Sequence, residues 1–182
     1  QAVDVKSMRD VLFINIESGI ISVIGSGAIE NSDLLDIVPE NGLKDFETFV
    51  RIHEMLVKYC QARDDDDQER LDKMAKRYGF DPEKRYKTVI IDTLSELNQI
   101  SLSRAFGDDQ NDLLGSSESD DTRRDFGKNR AAMVKTIRAF RNLPMNVIAT
   151  CGSQWDEDER KKIKYMPRLT GQLAKEVQAY WD

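Results

Sequence analysis

In the stretch KTVIIDTLSEL, Val89, Ile90 and Ile91 form an apolar run with no polar residue between them, and the run stops on Asp92 and Thr93. A run this short, without alternation, reads as a strand buried on both faces, the kind that a parallel sheet covered by helices requires. Two more segments have the same form. DVLFINIESG gives a strand ending at Ile16, followed by Glu17, Ser18 and the turn residue Gly19. LPMNVIATCGSQ gives a turn at Pro144, a strand over residues 146–150 and polar residues at its exit. ISVIGSGAIE adds an expected edge strand and loop.

Helical patterns lie between these strands. Phe46, Phe49, Val50, His53, Leu56, Val57 and Cys60 recur at spacings of three and four, which predicts an amphipathic helix with His53 packed on its apolar stripe. ARDDDDQERLDKMAKRYGF predicts a second helix, with Asp64, Asp65, Asp66 and Asp67 at its positive end and Gly79 as its stop; acidic residues there are solvated helix partners rather than a metal cluster. A third helix runs from Ser95 to about Phe106, and residues 107–122 are a polar, Gly- and Ser-rich loop. Over residues 123–141, Arg124, Lys128, Lys135 and Arg138 fall on one side of a helix and Met133, Ile137 and Phe140 on the other. Residues 155–171 read as a charged loop before a final helix. Strands alternating with helices give an α/β fold with a largely parallel central sheet flanked by helices.

Composition removes several classes. The 182 residues, 40% hydrophobic, suffice for one core and one domain spanning residues 1–182. A net charge of −6 argues against a generally basic nucleic-acid coat, so a polyanion has to be met by a local patch. Cys60 and Cys151 form no CxxC pair and His53 is the single histidine, which disfavours a disulfide scaffold and a nitrogen- and sulfur-ligated metal site and fits a reducing cytoplasm. No apolar run approaches the roughly 18 residues of a spanning helix, and no membrane role is expected. The start at Gln1 and the end at AYWD read as a piece of a longer polypeptide.

Ligands of open α/β sheets bind beyond the carboxyl ends of the strands. Three exits carry polar groups: Glu17 and Ser18; Asp92 and Thr93; and Thr150 with Ser153 and Gln154. Adjacent strands would make these groups converge. A phosphate-handling site needs a carboxylate for Mg2+, a second to orient water and a polar sensor of the terminal phosphate. An Asp at a strand end also caps a following helix, so Asp92 alone admits a structural reading.

VLFINIESG, TVIIDTLSEL, RDFGKNRAAMVKTIRAFRNLPMNVIAT and DEDERKKIKYMPRLTGQLAKEV together resemble the phage nucleotide-binding proteins of the RecA-like P-loop (AAA) ATPase superfamily, which include ATPases of phage single-strand annealing and recombination. The resemblance implies a RecA-like P-loop NTPase core that uses ATP and Mg2+. It matches Asp92 to the aspartate that holds Mg2+, with Thr93 beside it, and Glu17 to the glutamate that activates water. Gln154 or Thr150 takes the place of the γ-phosphate sensor. The loops after Phe106 and Gln154 correspond to loops that face DNA, which makes single-stranded DNA the expected partner. An oligomer or filament, and phage recombination or single-strand-binding proteins, are further expected partners, with Arg123, Arg124 or Lys164 reaching a neighbour's phosphate.

For nucleic acid, Lys161, Lys162, Lys164 and Arg168 stand near Trp155 and Tyr165, whose rings stack on bases, and Arg124 and Lys128 add a basic helix face. One departure from the family pattern matters: no GxxxxGK followed by Ser or Thr occurs in the chain, since GSGAIE lacks the lysine and DFGKNR follows no strand. The ATPase reading therefore depends on a phosphate loop upstream of residue 1. Two alternatives remain: a non-catalytic binding or assembly protein that lacks the loop, and a P-loop motor of DNA packaging or replication.

Overall fold

The computed structural model describes residues 11–17, 35–38, 43–78, 82–83, 85–106, 119–157 and 161–180. Four strands, β1 (Val11–Asn15), β2 (Leu35–Val38), β3 (Thr88–Asp92) and β4 (Asn146–Ala149), form a parallel sheet in the order β2-β1-β3-β4. Two strands, β5 (Ser153–Glu157) and β6 (Ile163–Pro167), form an antiparallel pair. The helices are α1 (Phe46–Asp64), α2 (Gln68–Tyr78), α3 (Leu94–Phe106), α4 (Ser119–Arg141) and α5 (Leu173–Gln178). This is the α/β architecture with a parallel central sheet that the strand and helix pattern predicts, and it agrees with the RecA-like core that the resemblance implies.

Strand burial departs from the simplest reading of the apolar runs. β1 is buried along its whole length, whereas β3 alternates between buried and half-buried positions. The register explains the difference. Leu12, Ile14, Val89, Ile91, Val147 and Ala149 share the face that joins the main core with the helices. Phe13, Ile90 and Ile148 align across three strands on the other face, where Ile148 is 51% exposed. The described residues thus cover one face of the sheet more fully than the other.

α1 starts at Asp45, whose carboxylate accepts from the Thr48 N–H at 2.6 Å, satisfying one of the free donors of the first turn. That bond holds the Asp45 carboxyl below its ordinary value. The buried stripe of α1 is wider than its spacing suggests, because Ile52, Met55 and Tyr59 are buried along with Phe46, Phe49, Leu56 and Cys60. α1 packs against α2, α3 and α4, so its contact surface exceeds one stripe. His53 packs edge-on against Phe140, as expected of a packing histidine, and Phe140 stacks on Phe49 at 4.6 Å. Burial pushes the Cys60 thiol up, which suits a packing group.

At the amino-terminal ends of the strands, Arg63 donates to the carbonyls of Tyr86 and Pro144 at 3.0 and 3.2 Å, tying the approaches to β3 and β4 to α1. The acidic run is divided by a turn: Asp64 ends α1 and pairs with Arg63, while Asp67 accepts from the Arg70 N–H at the start of α2. On α4, Met133, Ile137 and Phe140 are buried, and Arg124, Lys128, Lys135 and Arg138 are exposed, as the helical spacing predicts. The helix begins at Ser119, four residues before the expected start; the expected loop up to residue 118 and the expected edge strand at 21–30 lie outside the described residues.

A buried amide chain fixes α3 against α4 and the segment before α5. Asn129 Nδ2 donates to Asn98 Oδ1 at 3.0 Å, and Asn98 Nδ2 donates to Thr170 Oγ1 at 2.7 Å. Gly171 follows at φ +57°, a left-handed turn that favours glycine. Among the described residues no helix is long and apolar enough to cross a membrane. Truncating Phe140 to Ala would empty the space between Phe49 and His53, and urea unfolding should show a loss of about 3–5 kcal/mol.

Candidate functional site

The parallel register brings three strand exits side by side. Asn15 pairs with Asp92 across β1 and β3, and Ile91 pairs with Ala149 across β3 and β4, so the next residue of each strand continues the same row. Backbone bonds then carry the chain past the strand ends: the Ile16 N–H donates to the Asp92 carbonyl at 2.8 Å and the Thr150 N–H to the Ile91 carbonyl at 2.9 Å. The Asp92–Thr93 peptide bond is cis.

Four side chains meet at this edge. Thr93 Oγ1 donates to Glu17 Oε1 at 2.5 Å, and Thr150 Oγ1 donates to Asp92 Oδ1. Two residues predicted from strand-end position alone, Glu17 and Asp92, are thereby each gripped by a threonine from the neighbouring exit. Thr93 has a second role, since its hydroxyl accepts from the Glu96 N–H at 3.3 Å and caps α3. The cap that competes with a functional reading of Asp92 is therefore provided by its neighbour.

Each carboxylate accepts through one oxygen, and the other oxygen makes no hydrogen bond among the described residues. Both are exposed or half-exposed. The donors on offer are oxygens of carboxylate and hydroxyl type, which suit a hard cation such as Mg2+ that keeps several waters and binds one or two protein carboxylates. No cluster of three or more His, Cys, Asp or Glu side chains that could hold a metal occurs among the described residues. For a nucleotide, the described residues offer the carboxylate side of a site and no loop of backbone N–H groups with a lysine.

Beyond Thr150 the chain is pinned to α3. The Leu94 N–H donates to the Thr150 carbonyl at 2.9 Å, the Gly152 N–H to Ser95 Oγ at 2.9 Å, and Ser95 Oγ lies 3.3 Å from Cys151 Sγ. Ser95 is buried and enters the sequence reading only as the start of the third helix; its signal there is the place two residues after a strand-end Thr, where a first-turn serine reaches a neighbouring exit. Gln154, the other candidate sensor, stands on β5 opposite Met166, outside the hydrogen-bonded group of Glu17, Thr93, Asp92 and Thr150.

The expected charged loop of residues 155–171 is instead largely the β5–β6 hairpin. Trp155 pairs with Tyr165 and Glu157 with Ile163, which puts both rings and Ile163 on one face. That face is open: Trp155 is 70%, Tyr165 78% and Ile163 66% exposed. Lys164 pairs with Asp156 on the other face, with Gln154 and the partly buried Met166. Lys161 and Lys162 lie just before β6, and Arg168 lies just after it. The rings and the cations expected to act together are thus divided between the two faces and the ends of the hairpin. On α4, Arg124 is exposed and Lys128 pairs with Asp125 at 2.6 Å.

A family model described as AAA domain matches residues 3–182. No curated protein matches the chain. Replacing Thr93 with Val keeps its shape while removing the α3 cap and the hold on Glu17; chemical denaturation should show a loss of about 1 kcal/mol.

Proposed function

Because the chain belongs to the AAA domain family, with the nucleotide-related, ATP-binding character of that family, we propose that it is a Mg2+-dependent ATPase coupled to DNA recombination, single-strand annealing or repair, encoded by a phage or prophage. The observation that carries this reading is the meeting of Glu17, Thr93, Asp92 and Thr150 at the carboxyl edge of a parallel sheet.

The bonds of these residues support the tasks that the resemblance implies for them. Asp92 would hold Mg2+ through the carboxylate oxygen left open beside the one that Thr150 engages. Mg2+ supplies neutralisation of the charge that spreads over the phosphate oxygens during transfer. Glu17, with one oxygen fixed by Thr93, keeps the other to accept a proton from an attacking water. Thr150 joins the metal-side carboxylate to the end of β4 and would report the state of the phosphates to Cys151, Gly152 and the hairpin, while Gln154 lies farther along the same path. Single-stranded DNA would stack on Trp155 and Tyr165, with Lys161, Lys162 and Lys164 meeting its backbone and Arg124 and Lys128 extending the contact. A homo-oligomer would place several such surfaces along one strand.

A second reading has a specific basis. The sequence holds no GxxxxGK[ST] loop, so a non-catalytic binding protein would keep the fold without turnover. One experiment separates the two: Mg2+-dependent ATP hydrolysis by the natural polypeptide, with and without single-stranded DNA. ATPase function predicts DNA-stimulated turnover that falls at least about a hundredfold in Asp92→Asn and Glu17→Gln, with both variants folded. Wild-type protein that binds DNA and leaves ATP intact would establish the non-catalytic reading.

A further inference from the structure

The hydrogen-bonded group at the strand exits contains two carboxylates and two hydroxyls and no cation. A cationic side chain is nevertheless held by the fold against Gly152, two residues past the exit of β4. The Arg168 guanidinium lies against Gly152, where an added Cβ would stand 3.2 Å from its Nε and 3.4 Å from its Cζ. Gly152 is two residues beyond Thr150, which places their Cα atoms within about 7 Å of each other. Ser95 Oγ, 3.2 Å from the same point, belongs to the first turn of α3, two residues beyond Thr93. The guanidinium therefore rests on ground formed by the exits of β3 and β4.

Its backbone is fixed on every side. The Arg168 N–H donates to the Gly152 carbonyl at 2.7 Å, Leu169 is buried, and Thr170 accepts from the buried Asn98. The side chain itself is exposed and makes no ion pair or hydrogen bond among the described residues. Some other arginines of the chain are engaged, Arg63 with Asp64, Arg104 with Glu47 and Arg130 with Glu176, whereas Arg123, Arg124 and Arg141 on α4 are exposed like Arg168. A clamped backbone bearing an unengaged guanidinium, resting on Gly152 two residues past the exit of β4, is an arrangement suited to an anion drawn to the same edge of the sheet. A planar fork of N–H donors matches the oxygens of a phosphate in two places at once.

We propose that Arg168 is a phosphate-binding residue of the strand-exit site, lying over the polyphosphate of a nucleotide, with the bare Cα of Gly152 letting its guanidinium lie close to the exit of β4. The assignment moves Arg168 out of the nucleic-acid surface and rests on the nucleotide reading for the class of its ligand.

The test measures binding of Mg2+-tripolyphosphate, Mg2+-ATP and an oligothymidylate to the natural polypeptide and its variants. Arg168→Ala should weaken tripolyphosphate and ATP about tenfold or more, leave oligothymidylate binding within about twofold and leave the melting temperature unchanged, because the side chain is exposed and unpaired. Arg168→Lys should recover part of the loss. Unchanged tripolyphosphate binding in Arg168→Ala, lost oligothymidylate binding with tripolyphosphate retained, or wild-type protein that binds no tripolyphosphate would each overturn the proposal. Wild-type protein that loses tripolyphosphate binding on substitution and yet never hydrolyses ATP would uphold Arg168 and refute the ATPase.

Discussion

Three backbone hydrogen bonds stitch the ends of the central strands together: Ile16 N–H to the Asp92 carbonyl, Thr150 N–H to the Ile91 carbonyl, and Leu94 N–H to the Thr150 carbonyl. They extend the parallel ladder one step beyond the sheet and fix which side chain of each exit faces which. Side chains alternate along a strand, so a slip of one residue in β3 would carry Asp92 to the helix-covered face and bring Ile91 to the edge. The aliphatic residues of β1 and β3 prevent that slip, because Leu12, Ile14, Val89 and Ile91 would lose their place in the core together. Burial in the core thus sets the geometry at the site.

The parts of the structure governed by local pattern were legible in the sequence. Three strands, the apolar side of α4, the packing role of His53 and the meeting of Glu17, Thr93, Asp92 and Thr150 all follow from periodicity and from where an apolar run ends. What escaped depends on partners distant in sequence. The buried width of α1 reflects three neighbouring helices at once, and the half-open second face of β3 depends on what covers it. Neither can be read from spacing within a single segment.

The β5–β6 hairpin escaped for another reason. Its residues alternate, with Trp155 flanked by Gln154 and Asp156 and with Tyr165 between Lys164 and Met166, but the density of charge across residues 156–164 resembles a solvated loop. Trp155 and Tyr165 stand opposite each other in the backbone register, and Met166 anchors the ribbon to the body of the protein. Charge here reports that both strands have an edge exposed to water, and says little about whether they are strands.

That ribbon also has a bearing on how the protein can diverge. Its inner face, with Gln154 and Met166, is bound by packing, whereas Trp155, Ile163 and Tyr165 point away from the body and carry little of its stability, in the manner of most surface positions, where substitutions stay within about 0.5 kcal/mol. Substitutions on that outer face can therefore accumulate one at a time without loosening the core, which is held by residues that face the other way.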